Sequence, residues 1–509
     1  HASFNAAAPM RAYIVAANLP DFAAKAAKLV DVLRTETTRA PLPTGVSVAL
    51  SPAKPGKLAF VMPGQGSQYV GMGRDLALAF PAARAAWDLA ASHPETGPMR
   101  LHDLAFPSPA FSEDEAKTQS ETLTALQNAQ PALAAASLAM LAVLSSARIV
   151  PDCAAGHSFG EVMALHAAGL LDASSALSVA CKRAEAMAAA AAQNSGAMLA
   201  TQAASETLWP ILREHPEVVI ANDNAPTQTV VSGPTRAIET VSLALEAAKI
   251  GVRRLNVASA FHSPVVAAAV GPFRAALEQT PFSPQVFPVY ANASGQRYPL
   301  DPAEQRALLA SQVERPVRFR SMIEAMASDG VTTFLEVGPG SVLTALVKQI
   351  APSAEAIALD SKGGDGLFAF LSGVGRLAIL GHAVDLVALF RELPAPAARP
   401  ERSKHAVELN GANHGNPYPP PGGASALPQP NPARVLNPVL LARGTARFDE
   451  PAEAPTFNPP SGEVPVTYKP FVSADAAERI HAEISARHAE FMSVVGAAHM
   501  QFLNASASL

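Results

Sequence analysis

Short apolar runs alternate with longer Ala- and Leu-rich segments from about residue 58 to residue 381. The short runs fit buried strands, and the longer segments carry the periodicity of helices. Parallel strands need a crossover between them, which is usually a helix, so this alternation is typical of an α/β domain. The first predicted strand is Leu58 to Met62. The alternation therefore predicts a parallel sheet that is covered by helices.

One segment inside this region has a different order of elements. Residues 190–257 are predicted to fold as strand, helix, strand, strand, helix and strand, with a turn at Asn222 to Pro226 between the two central strands. That order is the split βαβ arrangement of ferredoxin-like domains. We therefore predict a small ferredoxin-like subdomain inserted into the larger one.

Proline divides the rest of the chain. Of the 45 prolines, 14 lie between Pro417 and Pro470, where missing N–H groups disfavour helix and sheet. The helix expected after this linker has one narrow apolar seam. Through it the helix would dock on a partner, form a dimer or pack back on the main body. The predicted boundaries are an N-terminal linker element at 1–57, a large subdomain at 58–189 and 258–399 whose second part includes a post-domain segment, the small subdomain at 190–257, the linker at 400–470 and the helix at 471–509.

Composition limits the class of protein. The 38 Lys and Arg against 43 Asp and Glu, with no basic tract, argue against a nucleic-acid partner. Cys153 and Cys181 alone make neither a disulfide framework nor a metal site, which fits a reducing compartment. The longest apolar stretch, Pro131 to Leu144, is shorter than the roughly 20 residues that span a bilayer. We expect a cytoplasmic protein without a membrane partner and, because His1 stands where methionine usually does, a piece of a longer chain.

Gly156-His157-Ser158-Phe159-Gly160 matches the G-x-S-x-G nucleophile elbow. It follows a short apolar segment and opens a predicted helix, and its glycines permit the tight turn that exposes a serine Oγ. An ordinary Gly-rich turn would give the same five residues. A nucleophilic serine also needs a base and N–H groups that bind an oxyanion. Phe159 is one natural N–H donor.

A second Gly-rich turn, Pro63 to Gln68, follows the first predicted strand. It is a candidate for the second oxyanion donor. A phosphate-binding loop is the other interpretation, but no Gly-Lys-Ser/Thr follows, so the P-loop pattern is not met. Among the 13 histidines, His262 follows the inserted segment where the chain returns to the main sheet, which makes it a candidate base.

Five motifs occur in the order and spacing of one family. The chain resembles the malonyl-CoA:acyl carrier protein transacylases, which include the acyltransferase domains of polyketide synthases, over about residues 58–350. The motifs are Gly64-Gln65-Gly66-Ser67-Gln68, Gly156-His157-Ser158-Phe159-Gly160-Glu161, Ala260-Phe261-His262-Ser263-Pro264, Pro316-Val317-Arg318-Phe319 and Leu335-Glu336-Val337-Gly338-Pro339-Gly340. This resemblance implies an α/β-hydrolase-like core that carries the ferredoxin-like insertion.

The resemblance also implies roles for single residues. Ser158 matches the nucleophile and His262 the general acid/base. Gln65 and Phe159 match the backbone donors of the oxyanion hole, and Gln312 matches the residue whose carbonyl orients the histidine. A neutral carbonyl holds the histidine tautomer without the charge that an aspartate would supply.

Two further matches concern the acyl group. Arg183 matches the arginine that holds the free carboxylate of a malonyl unit, and a planar guanidinium suits a carboxylate. Phe261 lies where the family distinguishes malonyl from methylmalonyl, although Ser259 departs from the usual malonyl pattern, which begins with histidine. An extra methylene is worth only about 1–3 kcal/mol in an apolar pocket.

The function implied is ping-pong transfer of malonyl from malonyl-CoA to the phosphopantetheine thiol of an acyl carrier protein, with no bound cofactor. A thioesterase or editing hydrolase, a different acyl unit such as methylmalonyl or acetyl, and a scaffold role are the alternatives. Segments 106–111 and 127–132 are most similar to acyltransferase domains of polyunsaturated fatty acid synthases and related iterative systems. Neighbouring domains such as a ketosynthase are therefore expected partners.

Overall fold

The computed structural model describes residues 4–34, 41–96, 100–255, 257, 259–391 and 393. The predicted linker at 400–470 and the predicted helix at 471–509 lie outside these residues.

The strands of the described residues are β1 (Arg11–Ile14), β2 (Val46–Ala49), β3 (Lys57–Met62), β4 (Cys153–Gly156), β5 (Gly196–Thr201), β6 (Val219–Ala225), β7 (Gln228–Pro234), β8 (Val252–Arg254), β9 (Val289–Tyr290), β10 (Val331–Glu336) and β11 (Glu355–Ala358). The helices are α1 (Leu19–Arg34), α2 (Arg74–Ala79), α3 (Pro81–Ser92), α4 (Leu101–Ala105), α5 (Glu113–Thr124), α6 (Leu126–Ser146), α7 (Gly160–Ala167), α8 (Ala173–Gln193), α9 (Ser205–Leu212), α10 (Thr235–Ala247), α11 (Val270–Gln279), α12 (Pro302–Ser311), α13 (Phe319–Ser328), α14 (Val342–Ile350), α15 (Gly366–Leu380) and α16 (Leu386–Arg391), with 3₁₀ turns at Pro94–Thr96 and Pro264–Ala269.

The main sheet has the strand order β11-β10-β3-β4-β9, and all of its pairings are parallel. The predicted first strand is confirmed as β3, in which every residue after Lys57 is buried. Helices cover both faces of such a sheet, which is why its strands are continuous apolar runs. The predicted α/β class with a parallel sheet is therefore confirmed. Because β3 and β4 are neighbours, the loops after them leave the same edge.

A second sheet has the order β6-β7-β5-β8 with antiparallel pairings throughout, and α9 and α10 pack with it around a separate apolar core. The predicted turn at Asn222 to Pro226 is wrong in its position. Residues Asn222 to Ala225 belong to β6, and the turn lies at 226–227. The backbone of Val317 pairs with Ala221 and Asp223 and so extends the strand through polar residues that local propensity assigns to a turn.

Helix α6 is the one helix of the described residues that is long and apolar enough to cross a membrane. It extends beyond the apolar stretch identified in the sequence. Of its most apolar window, 78% is buried inside the protein, where it packs against α3 and α8. Small alanines allow this close packing, so its apolar character is that of a core helix.

Candidate active site

Ser158 lies in the turn between β4 and α7, one residue before the helix cap. Its φ is +51°, a left-handed value that is strained for a residue with a Cβ. A Cβ on Gly160 would come within 2.0 Å of the Met62 carbonyl oxygen, so only glycine lets the turn pack against the end of β3. The predicted tight turn between a strand and a helix is therefore present, with Ser158 at its strained position.

His262 meets this hydroxyl from a segment 104 residues away in sequence. The Ser158 Oγ lies 2.7 Å from His262 Nε2. The other ring nitrogen, Nδ1, faces the carbonyl oxygens of Gln312 and Arg315, each at 3.0 Å. Carbonyl oxygens only accept, so Nδ1 carries the proton and Nε2 has its lone pair free for the serine proton. The contact predicted for the Gln312 carbonyl is present, and the Arg315 carbonyl shares it.

The environment of His262 keeps its ring neutral. The side chain is buried, with 3% of its surface exposed. Burial, supported by the nearby cation of Arg183 and by His157, lowers the pKa of His262 to about 3. The ring is therefore an unprotonated base across the neutral range.

The loop that carries Gln65 lies against the elbow that carries Phe159. A Cβ on Gly64 would meet the His157 carbonyl oxygen at 2.3 Å and the Phe159 nitrogen at 3.5 Å, so the loop after β3 lies directly against the elbow. Across the described residues, neither the Gln65 N–H nor the Phe159 N–H donates a hydrogen bond. Two free N–H groups beside a nucleophile can bind a developing oxyanion.

Arg183 lies on α8 with 1% of its surface exposed. Its Nη1 donates to Gln130 Oε1 at 2.8 Å, and its Nη2 donates to Gln312 Oε1 at 3.0 Å and to Ser158 Oγ at 3.3 Å. Its Nε is buried without a partner. Burial lowers the pKa of Arg183 to about 10, opposed by the charge of Glu161, so the guanidinium stays cationic at neutral pH.

Within the described part of the chain, Arg183 forms no salt bridge. All of its hydrogen-bond acceptors are neutral oxygens. Glu161 acts on the guanidinium only through its charge, and burial raises the pKa of that carboxyl to about 7. An anion that reaches a buried cation whose hydrogen-bond partners are all neutral gains a strong charge-assisted interaction. The guanidinium of Arg183 can therefore attract one carboxylate beside the Ser158 hydroxyl.

The residues expected to sort acyl groups are both enclosed. Phe261 is 6% exposed and joins the large apolar core, and Ser259 is fully buried. In the described residues no cluster of three or more His, Cys, Asp or Glu side chains is arranged to hold a metal ion.

Sequence reasoning missed three polar contacts of the site. Gln130, fully buried on α6, accepts a hydrogen bond from Arg183; it follows two other amides, Gln127 and Asn128, at the start of the helix, so composition does not single it out. His157 lies 2.7 Å from Asn224, which joins the elbow to the second sheet. Asn292, fully buried, bonds the backbone on both sides of His157, and no local pattern marks it.

Comparison with known proteins shows which family the chain belongs to. Residues 59–364 match the acyl transferase domain family. The chain is 37% identical over 312 residues to the malonyl CoA-acyl carrier protein transacylase of Bacillus subtilis, which covers 60% of this chain and 93% of that protein. It is 32% identical over 362 residues to polyketide synthase GfsA of Streptomyces halstedii, covering 69% of this chain but only 5% of that synthase.

Among solved structures, the acyltransferase domain from the second module of the salinomycin polyketide synthase superimposes with a TM-score of 0.65 at 31% identity, over 76% of this chain and 86% of that one. The chain therefore belongs to the acyl transferase domain family, and it is similar both to malonyl CoA-acyl carrier protein transacylases and to polyketide synthase acyltransferase domains.

Proposed function

We propose that the chain transfers a malonyl group from malonyl-CoA, through an ester on Ser158, to the phosphopantetheine thiol of an acyl carrier protein. The observation that carries this proposal is the buried guanidinium of Arg183, which has only neutral hydrogen-bond partners and lies 3.3 Å from a serine hydroxyl that is hydrogen-bonded to a neutral histidine. A nucleophile beside a buried cation suits an acyl group that ends in a carboxylate.

In the first half-reaction, Ser158 Oγ attacks the thioester carbon while His262 Nε2 takes the hydroxyl proton. The carbonyl oxygen becomes an oxyanion that the N–H groups of Gln65 and Phe159 bind. Arg183 holds the distal carboxylate, which fixes the position of the carbonyl. The C–S bond breaks, His262 returns its proton to the departing CoA thiolate, and malonyl remains as the serine ester. The carrier thiol reverses these steps in the second half-reaction.

The acceptor in the second half-reaction separates this function from a hydrolase. Malonyl-enzyme is mixed with holo carrier protein, with apo carrier protein that lacks the thiol as the matched control, or with buffer. We expect rapid loss of the malonyl mass from the enzyme, and its gain on the carrier, with the holo form alone. Release of free malonate at one rate in all three mixtures would favour the thioesterase alternative.

Malonyl transfer is expected to show no acid limb near the ordinary histidine pKa of about 6.5. The base must be unprotonated to accept the serine proton, and the folded pKa of about 3 keeps His262 in that form. The check is kcat/KM between about pH 5 and pH 8. Stability should fall as the pH drops below about 6.5, because the unfolded chain then binds a proton that the folded chain excludes. An activity limb centred near pH 6.5 in folded enzyme would contradict a buried base.

We further propose that Phe261 favours malonyl over methylmalonyl, because its enclosed ring leaves little room for a branch. The setting we propose is the cytoplasm, beside ketosynthase and carrier-protein domains of an iterative polyketide synthase or polyunsaturated fatty acid synthase. The resemblance of segments 106–111 and 127–132 supports that setting, and the free thiols of Cys153 and Cys181 fit a reducing compartment.

For the architecture, we propose an α/β-hydrolase-like core at 58–189 and 258–399 and a ferredoxin-like subdomain at 190–257. The serine at a strand-to-helix turn of a parallel sheet supports the first. The β-α-β-β-α-β order, the antiparallel strand order β6-β7-β5-β8 and the separate apolar core support the second.

A further inference from the structure

Asn292 holds both sides of the turn that carries Ser158. Its Nδ2 donates to the Gly156 carbonyl oxygen at 2.6 Å, and the Ser158 backbone N–H donates to its Oδ1 at 2.7 Å. A side-chain amide offers one acceptor and a donor in one plane, as a peptide group does. The side chain is fully buried, and so is its bond to the Gly156 carbonyl.

The Asn292 amide lies beside the end of β4, at the position where a longer β9 would pair with it. Strand β9 pairs with β4 only at Val289 and Tyr290, and the chain then turns away at residues 292–294. The backbone after Tyr290 therefore cannot pair with the end of β4. The Asn292 side chain replaces the missing strand at Gly156 and Ser158.

One of the two bonds is made by a strained residue. Ser158 has a φ of +51°, a backbone state that persists only where surrounding contacts enforce it. The bond to Asn292 also engages the Ser158 N–H, which leaves the N–H groups of Phe159 and Gln65 as the free donors next to the hydroxyl.

The backbone of Asn292 reaches the other half of the dyad. Its carbonyl accepts from the Arg318 N–H at 3.0 Å. The same loop supplies the Arg315 carbonyl to the His262 ring, and the Val313 carbonyl to the His262 N–H at 3.1 Å. One residue thus bonds the nucleophile turn through its side chain and the histidine-holding loop through its main chain.

We propose that Asn292 is a positioning residue that sets the separation between Ser158 Oγ and His262 Nε2 and keeps the serine in its strained, reactive backbone state. The inference rests on the proposed function, since the distance it controls is that of the acylation step. The proposed role of Asn292 involves no contact with the substrate. It therefore predicts slower acylation of Ser158 with an unchanged preference among acyl groups.

The test compares Asn292→Ala with wild type in the rate of Ser158 acylation by malonyl-CoA and by acetyl-CoA. We expect both rates to fall about 10²-fold, the usual effect of a misplaced reacting group, with the KM for malonyl-CoA and the malonyl-to-acetyl ratio little changed. Wild-type rates in the variant would overturn the inference, as would a loss confined to malonyl.

Two further variants separate positioning from stability. Thr201→Val removes a buried hydrogen bond to the Thr229 carbonyl in the second sheet, and it should lower the melting temperature without slowing acylation. Asn292→Asp takes the place of the alanine variant if that variant does not fold. The aspartate keeps the acceptor for the Ser158 N–H but places an oxygen against the Gly156 carbonyl. An equal loss of rate in Thr201→Val at a matched melting temperature would show that Asn292 acts through stability alone.

A reagent without a carboxylate makes the two proposals distinguishable. Phenylmethanesulfonyl fluoride reacts with an activated serine whatever the natural acyl group is. If wild type is modified at Ser158 but accepts no malonyl group, the proposed function fails while the inference still stands to be tested on the sulfonylation rate. A rate in Asn292→Ala equal to that of wild type would overturn it there too.

Discussion

Replacement of Ser158 by alanine is expected to abolish the mass increase that malonyl-CoA produces on the wild-type chain. The hydroxyl is the atom that forms the ester, and the alanine leaves His262 and the oxyanion donors with no nucleophile. Malonyl transfer should fall on the order of 10⁴-fold or more, as when a nucleophile is removed from a catalytic unit. Intact-mass measurement after incubation with malonyl-CoA gives the result directly.

The matched control is Ser146→Ala, which removes a hydroxyl bonded to a carbonyl of its own helix, α6, and should label as wild type does. His262→Ala should still label, but slowly, because the nucleophile remains and only its base is lost. Persistent malonylation of Ser158→Ala would place the ester on another residue and remove the proposed mechanism.

Replacement of Arg183 by alanine should cost malonyl loading about 10²-fold or more while acetyl loading changes far less. A buried charge pair is worth roughly 2–5 kcal/mol when one partner is removed, and only the malonyl group has a carboxylate to lose its partner. The measurement is the ratio of serine acylation rates with malonyl-CoA and acetyl-CoA, which cancels general damage to the nucleophile.

Arg183→Lys tests geometry against charge. The lysine keeps a cation but loses the planar pair of donors that also contact Gln130 and Gln312. We expect malonyl loading between that of wild type and that of the alanine variant. Equal losses for malonyl and acetyl in Arg183→Ala would show that the guanidinium supports Ser158 Oγ, 3.3 Å away, and does not select a carboxylate.

The two predictions differ in what they need from the tertiary structure. Ser158 is identified by its own neighbours, because a strand end, two glycines and a helix start are local features of the chain. Arg183 has no such local mark: it is one arginine in a helix, and its meaning comes from burial among hydrogen-bond partners that are all neutral. That environment is built by α6, α8 and the loop at Gln312, and it becomes visible only when they are assembled.

The second sheet illustrates the same division. The periodicity of the chain predicted its order of strands and helices, yet the turn was misplaced onto Asn222 to Pro226. Local propensity assigns asparagine and aspartate to turns, whereas the backbone of Val317 pairs with Ala221 and Asp223 and holds the segment in β6. The segment pairs with β7 on one side and with Val317, about 90 residues further along the chain, on the other, and propensity scales contain neither pairing.

By itself, the sequence determined the α/β class, the parallel sheet, the elbow with Ser158 and, through its motifs, the family. These depend on periodicity, glycine positions and helix starts, which act over a few residues. Only the assembled fold brings His262 to 2.7 Å from Ser158, gives Arg183 neutral hydrogen-bond partners alone, and places Asn292 against the elbow from 134 residues away. Those are pairings of buried polar groups, and their partners are chosen by strand order and loop packing, which no local pattern of residues encodes.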